Sequence, residues 1–451
     1  MMDYRLTEQE MALAGKCLER ALAKGAQKAR ATLNKSCMDL IGTLNGEVDK
    51  VTHCLDRSIS IALFVDGKYG SFSINKLEDK ALEDFIDRAL DTARLLAEDP
   101  CRDLPAPERT AKDAVEGTEL GLFDAASLDM DAGKRLDIAL GASIFKHTEA
   151  TPAWTLVSEE AEYSDSVFDT LVMDTQGLCC RHTESSFEYG VEMTVKDTEG
   201  NKYSGYWWNS TPRLAELGAE RICAVALERA VAQIGPQTLP SGKYRCVIDS
   251  ECASRLVTPL LSALGRYALQ QNNSFLLDTL GKKVFSEGMT VMDACRRPGE
   301  SGSRLFDSEG VATRERAIIE NGMVKEYFIN TYMAAKMQMD PTVEDAIRPM
   351  VMPWPRKGLD RASIISMCGE GILVTGFNGG NSNSATGDYS FGIEGFAFKD
   401  GKITRPVREM LMTGNLIALW NGLLAAGDDA RPCKSKLIPT LAFENVDFSG
   451  E

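Results

Sequence analysis

Histidine is the residue type in which this chain is poorest. The 451 residues include only three histidines, His53, His147 and His182. Even the nearest two are separated by more than 30 positions, so no single helix can present two imidazole groups to one metal ion. The scarcity therefore excludes the commonest kind of hydrolytic zinc helix. By itself it says nothing further about function.

Several other features are also missing. The twelve cysteines include no CxxC pair, and most of them fall in apolar segments, which is typical of reduced, buried thiols. The first residues show no basic stretch followed by an apolar core, so we expect no secretory signal. No apolar run approaches the ~20 residues of a membrane span. These absences predict a cytoplasmic protein without a membrane segment.

Basic surface is missing as well. The formal net charge is −16 and the sequence pI is about 4.9. Basic residues are scattered and usually stand beside acidic ones. Such a surface repels phosphate backbones, so we expect no direct binding to nucleic acid.

The patterning of the chain predicts an α+β fold with two domains. Residues 1–235 read as helices combined with antiparallel hairpins and a meander, and residues 236–451 read as largely antiparallel β, a barrel or a sandwich with a few helices. The boundary is placed at the Gly and Pro residues that follow position 234, because they break the preceding helical pattern.

Local signals support this division. Leu6–Ala31 has helical periodicity, with Thr7 as N-cap and Glu10 completing a capping box. The dipeptides Asn45-Gly46 and Asn321-Gly322 each separate two alternating segments, which predicts two-residue hairpins. By contrast, residues 376–392 read GFNGGNSNSATGDYSFG between two strand-like segments. That density of Gly, Asn and Ser predicts a long loop whose backbone approaches another group closely.

Three stretches resemble the PmbA/TldD family, historically named modulators of DNA gyrase. They are Asp307–Thr313, Thr386–Phe396, and Gly414-Asn-Leu with the later Gly427-Asp-Asp429. Their order and spacing match, and the resemblance extends from the first helix to the last strand. It implies a cytoplasmic, two-domain member of a peptidase family whose subunits pair into a hollow dimer.

The resemblance also implies two kinds of subunit. The TldD-like kind carries HExxxH on a helix of the second domain, and a cysteine near the C-terminus completes its zinc site. In this chain Thr258–Ala263 corresponds to the HExxxH segment in approximate register. Thr258, Pro259 and Ala263 therefore replace the histidine, glutamate and second histidine of the TldD-like subunit. Pro259 also disfavours a helix interior. Cys433 falls near the third ligand and is interpreted as a relic, because one thiolate cannot hold catalytic zinc.

The resemblance therefore implies a PmbA/TldE-like subunit of a TldD/TldE-type zinc metalloprotease. No catalytic residue, metal site or cofactor is expected on this chain, and zinc is expected only on a TldD-like partner; without that partner, a homodimer is expected. An extended peptide would be held by strand addition near the glycine-rich segment. The candidate groove residues are Asn378, Gly379, Gly380, Asn381, Thr386, Gly387, Asp388, Tyr389 and Ser390.

Two alternatives remain open from the sequence. In the first, the chain is a self-sufficient peptidase with a different metal site, for which Asp307, Glu309, Asp388 and Glu394 offer carboxylates. In the second, it is a non-enzymatic regulator of DNA gyrase or of a toxin–antitoxin component. The acidic charge permits binding to a basic protein surface.

Overall fold

The computed structural model describes residues 4–450 and contains two compact units. Residues 4–231 form the first unit together with two later segments, 296–313 and 330–343. The second unit consists of 232–295, 314–329 and 344–450. The domain ranges expected from the sequence are continuous and contain no such return of later segments.

Both units contain helices and strands, and several strands follow one another directly along the chain. The strands are β1 (Lys28–Leu44), β2 (Glu47–Val65), β3 (Lys68–Ile74), β4 (Trp154–Asp174), β5 (Cys179–Asp197), β6 (Lys202–Thr211), β7 (Gly242–Ile248), β8 (Val291–Asp293), β9 (Arg316–Glu320), β10 (Met323–Val324), β11 (Pro349–Val351), β12 (Gly371–Ser382), β13 (Asp388–Lys399), β14 (Lys402–Asn415), β15 (Leu423–Ala426) and β16 (Leu441–Ser449). The α-helices are α1 (Glu8–Ala23), α2 (Asp79–Ala93), α3 (Ala132–Gly141), α4 (Ile222–Ala232), α5 (Ser254–Ala263), α6 (Arg266–Gln270), α7 (Thr331–Met337), α8 (Arg361–Cys368) and α9 (Leu416–Asn421). Short 3-10 helices lie at Pro107–Arg109, Ala125–Asp129, Phe145–His147, Leu214–Glu216 and Ala219–Arg221.

The first unit is built on one antiparallel sheet with the strand order β3-β2-β1-β4-β5-β6. Along β1 the burial of side chains alternates over most of the strand, as a sheet with one covered face requires. Helices α1 and α2 cover that face. Their apolar side chains form one core with Leu33 of β1 and with Ile59, Ile61 and Leu63 of β2.

The capping-box prediction for the first helix is confirmed, but the predicted end of the helix is wrong. The Thr7 side chain accepts a hydrogen bond from Glu10 N, and the Glu10 carboxylate accepts one from Thr7 N. The helix stops at Ala23 instead of Ala31, and Gly25 has a φ of 100°. From Lys28 the period of buried residues is two, because this segment belongs to β1.

Both hairpin predictions are confirmed. Asn45 and Gly46 have φ values of 55° and 74°, which suits the turn between β1 and β2. Asn321 and Gly322 have φ values of 48° and 79° between β9 and β10. Positive φ at both central residues matches the right-handed twist of the two strands, and Asn and Gly adopt it at low cost.

The second unit contains a closed five-stranded barrel. Strand β14 pairs with both β13 and β16, so the order β14-β13-β12-β7-β16 returns to its first member. The β7–β12 pair is parallel and the other pairs are antiparallel. Strand β15 adds to β16, and β8 to β11 form a separate four-stranded sheet. The predicted α+β fold is therefore confirmed, and the second unit is a barrel, not a sandwich.

Two further observations concern the whole described chain. All twelve cysteines are free thiols. Between residues 4 and 450, none of the helices has the length and apolar character that crossing a membrane requires.

Candidate functional site

Helix α5 carries Thr258–Ala263, the segment that the resemblance places at the position of HExxxH. Thr258 is exposed, Pro259 is partly buried, and Ala263 is buried in the core. Helical structure continues through Pro259, although its nitrogen cannot donate to the carbonyl one turn earlier. Neither proline nor alanine offers a donor atom, and a threonine hydroxyl is a poor ligand for zinc. The helix therefore does not fit a catalytic zinc ion.

The segment around Cys433 is fixed beside the start of α5 by ion pairs. Arg431 Nη1 lies 2.9 Å from Glu251 Oε1, and Lys434 Nζ lies 3.1 Å from Glu251 Oε2. Lys434 Nζ also donates to the backbone oxygen of Glu251 at 2.7 Å. The residues that flank Cys433 thus contact Glu251, which lies just before α5. However, among residues 4–450 no group of three metal-binding side chains includes Cys433.

The prediction of a long loop over Gly376–Gly392 is wrong. Strands β12 and β13 extend into it, and only residues 383–387 connect them. A Cβ atom on Gly380 would lie 1.9 Å from Ser390 O, the backbone of the paired strand. The group that the glycines approach closely is therefore the hairpin's own partner strand. Register shifts next to Gly376 and Gly379 explain why further glycines are needed there.

The tip of this hairpin is held by residues of the family motifs. The Asp388 carboxylate accepts hydrogen bonds from Asn415 Nδ2 at 2.9 Å and from Thr386 Oγ1 at 2.7 Å. These two bonds lower the pKa of Asp388. The Gly387 carbonyl accepts from Leu416 N at 2.8 Å, and Gly387 has a φ of 79°. Thr386, Gly387 and Asp388 thus fix the turn.

Strand β13, which follows the tip, places one candidate groove residue in the core and the next one on the surface. Tyr389 is buried and stacks on Phe391, with ring centroids 5.2 Å apart, whereas Ser390 is exposed. Burial raises the pKa of the Tyr389 hydroxyl. Tyr389 therefore belongs to the core.

A cleft of about 240 Å³ lies between α5 and the hairpin. Its lining residues are Arg255, Thr258, Pro259, Ser262, Asn381, Ser382, Ser384 and Phe391. A second cavity, of about 580 Å³, shares Thr258, Ser262 and Ser384 with the cleft and extends to Tyr267 and Phe328. The structure thus brings Thr258 and Pro259 together with Asn381, but Ala263 does not line this cleft.

One edge of β12 is free along the cleft. Strand β7 pairs only with Ile372–Val374, while β13 pairs with β12 as far as Ser382. In the described part of the chain, no second strand pairs with 376–382. This range contains Asn378, Gly379, Gly380 and Asn381 of the candidate groove. Its backbone offers a place where an extended chain can add as a further strand.

Sequence reasoning did not find Arg255. Its Nη2 donates to Gly380 O at 2.6 Å, and its guanidinium lies 4.9 Å from the centre of the Phe391 ring. Arg255 stands three positions before Thr258, so helical spacing places it on the same face. That spacing was the available signal.

The four carboxylates considered for a different metal site have other partners. Asp307 Oδ1 accepts from Glu309 N and Val311 N, which closes a turn. Glu309 Oε2 accepts from Thr331 N at 2.9 Å. Asp388 holds the hairpin tip, and Glu394 lies 3.9 Å from Arg408. None of the four belongs to a three-donor group within residues 4–450.

Known proteins are similar to this chain in both sequence and fold. Residues 241–450 match the PmbA/TldA metallopeptidase C-terminal domain, and residues 33–93 match PmbA/TldA metallopeptidase domain 1. These matches define a protein of a metallopeptidase class. The chain belongs to the PmbA/TldD family.

Individual relatives cover nearly the whole chain. Metalloprotease PmbA of Escherichia coli is 27% identical over 430 residues, which is 93% of each chain. The crystal structure of a candidate modulator of DNA gyrase from Bacteroides thetaiotaomicron has 36% identity and a TM-score of 0.93, covering 99% of this chain and 100% of that one. TldE from Thermococcus kodakarensis, at 18% identity, is similar in fold, with a TM-score of 0.83 and coverage of 97% and 100%.

Proposed function

We propose that this chain is the PmbA/TldE-like subunit of a TldD/TldE-type zinc metalloprotease that degrades peptides in the cytoplasm. It has no catalytic zinc and no catalytic residue of its own, and a TldD-like subunit supplies the zinc. The observation that supports this proposal is that α5 carries Thr258, Pro259 and Ala263 at the expected position of HExxxH, and these side chains do not suit catalytic zinc.

The second part of the proposal concerns peptide binding. The free edge of β12 at 376–382 binds the backbone of an extended peptide, with α5 as the opposite wall. Glycine, asparagine and serine dominate this segment, so recognition depends mainly on main-chain hydrogen bonds. In the free chain Arg255 donates a hydrogen bond to Gly380 O, so its side chain must move if a peptide is to bond to that oxygen. The expected substrates are unfolded or extended peptides of varied sequence.

The partner is expected on a different surface. Strand β2 pairs with β3 only from Ile59 onward, so its earlier half has a free edge. Val51 and Leu55 of that half are 69% and 52% exposed. Exposed apolar side chains along a free strand support association with a second subunit, a TldD-like chain or, in its absence, a second copy.

The test is a bulky substitution in the cleft. Ser262 is exposed on α5 and lines the cleft, so Ser262→Trp fills it without altering the core. Co-expressed with the TldD-like chain of the same genome, the variant is expected to assemble normally and to lose at least tenfold in cleavage of an unfolded peptide. Met367→Trp on α8 is the matched control, because Met367 is 48% exposed and lies outside the cleft lining.

The outcomes separate the alternatives. Full activity of Ser262→Trp would contradict the peptide-binding role of the cleft. Cleavage by the chain alone, lost on treatment with a chelator, would favour a self-sufficient peptidase. Co-purification of gyrase or a toxin–antitoxin component in place of a TldD-like chain would favour the regulator.

A further inference from the structure

Three different metal-binding side chains meet on the first two strands of the first unit. Asp39 of β1 pairs directly with His53 of β2, and Cys37 lies two residues before Asp39 on the same face. The ligand atoms of Cys37, Asp39 and His53 all lie within 4.8 Å of one another. Within residues 4–450 this is the one group of three such donors. It uses one of only three histidines in the chain.

The spacing of the donors is close to that of a zinc site. Zinc bonds of ~2.0–2.3 Å in a tetrahedron place neighbouring donor atoms roughly 3.3–3.8 Å apart. His53 Nδ1 lies 2.9 Å from Asp39 Oδ1, where the two are joined by a hydrogen bond. Small side-chain rotations would therefore suffice to place an ion between the donors. Thiolate, imidazole and carboxylate together are a donor set that suits zinc.

The surrounding groups orient the donors. Arg135 Nη2 lies 2.9 Å from Asp39 Oδ2, and the same guanidinium makes two bonds to the buried Asp165, at 2.7 and 2.8 Å. Such contacts to the outer oxygen hold a ligating carboxylate in place. If Cys37 is a thiolate, its charge, the charges of the Asp39 and Asp165 carboxylates and that of the Arg135 guanidinium add up to a net charge of minus two. A divalent cation balances that charge.

The three donors differ in their exposure. Cys37 is buried, and its proton passes to solvent when the thiol binds a metal ion as the thiolate. His53 is 52% exposed, which gives the ion access.

We propose that Cys37, Asp39 and His53 form a zinc-binding site, with a water molecule in the fourth position. This site is separate from the peptide cleft.

The test measures metal binding by the purified full-length chain after removal of metal. Zn²⁺ is titrated in competition with a chromophoric chelator, and Co²⁺ binding is followed by the thiolate-to-metal absorption band. Wild type is expected to bind one equivalent and to show the band. Cys37→Ser and His53→Asn should each weaken Zn²⁺ binding at least tenfold, and Cys37→Ser should abolish the band.

The chain offers matched controls. Cys54 is exposed and neighbours His53 on the opposite face of β2, so Cys54→Ser should bind as wild type does. His147→Asn, in a separate 3-10 helix, should do the same. Circular dichroism and urea unfolding of the metal-free variants establish that they fold. No binding by wild type, or unchanged binding by both Cys37→Ser and His53→Asn, would overturn the site.

Discussion

Within the described residues, each unit has one strand that is paired on one side only along about half of its length, and the two free edges have opposite chemistry. In the first unit, β2 is unpaired on its outer side before Ile59, and it exposes Val51 and Leu55 there. In the second unit, residues 376–382 of β12 pair with β13 on one side and with no described strand on the other, and this range consists largely of Gly, Asn and Ser. The first edge suits packing of side chains against a fixed partner, and the second suits backbone bonding to chains of any sequence.

The closure of the barrel in the second unit determines how many strand edges that unit leaves free. A closed barrel removes strand edges, and five strands of the second unit satisfy that condition. In the described part of the chain, β12 extends past its three-residue pairing with β7, and its free edge there lies beside α5. The first unit has an open sheet, so its free edge requires either a partner or exposure to solvent.

The largest expected effect comes from disturbing the pairing of β12 with β13. Gly380 has a φ of 87°, and an added Cβ would lie 1.9 Å from the backbone oxygen of Ser390. Gly380→Ala should therefore lower the free energy of unfolding by about 3 kcal/mol, measured by urea denaturation. Gly15→Ala is the control, because a Cβ atom added there in α1 would meet no atom within 4 Å beyond its chain neighbours and the backbone of its own helix. The control should raise stability by about 0.5–1 kcal/mol, and equal losses in both variants would contradict the close-approach account.

An intermediate effect is expected at the β2 edge. Leu55→Asp places a charge among exposed apolar side chains, so it should weaken association with a second subunit about tenfold, or ~1.4 kcal/mol. Stability of the isolated chain should change by less than about 0.5 kcal/mol. Analytical ultracentrifugation measures the first quantity. Leu95→Asp is the control because Leu95 is 86% exposed and follows α2; association unaffected by Leu55→Asp would exclude this edge from the interface.

The smallest effect is expected where β2 is covered by helices. Arg20 and Lys24 of α1 bond to Asp87 of α2, and these bonds lower the pKa of Asp87 to about 2. Because the pKa of Asp87 is lower in the folded chain than in the unfolded chain, the ionised carboxylate stabilises the fold at pH values above the ordinary pKa of an aspartate. That stabilisation is lost as the pH falls through the pKa of the folded state. Asp87→Asn should cost about 0.5 kcal/mol at pH 7.

The difference between wild type and Asp87→Asn should shrink between pH 5 and pH 3 in urea unfolding. Asp84→Asn serves as the control, since Asp84 pairs with Lys80 of its own helix at 2.8 Å. A difference that grows as the pH falls would contradict the assigned ion pair.

Local chemistry made part of this structure predictable. Thr7 with Glu10, and Asn45 with Gly46, determine their backbone geometry within four residues, so their patterns were sufficient. The glycine-rich 376–392 segment failed for the opposite reason. Its glycines meet the backbone of a strand about ten residues away, and composition alone does not distinguish that from a mobile loop.

The candidate site shows the same division. Thr258 and Pro259 were proposed from the approximate register that the family motifs supply, and both line the cleft. The Arg255 contact with Gly380 joins residues 125 positions apart, and the Cys37, Asp39 and His53 group depends on strand register. Neither follows from spacing along the chain alone. Both required the fold.

The central claim is that this chain contributes peptide binding but no zinc catalysis. The most direct test compares hydrolysis of one unfolded peptide by this chain, by the TldD-like chain of the same genome, and by the co-purified pair at equal zinc. The account predicts activity of the pair that neither chain alone matches, and no activity of this chain at any zinc concentration. Equal activity of the TldD-like chain alone, or zinc-dependent cleavage by this chain alone, would contradict it.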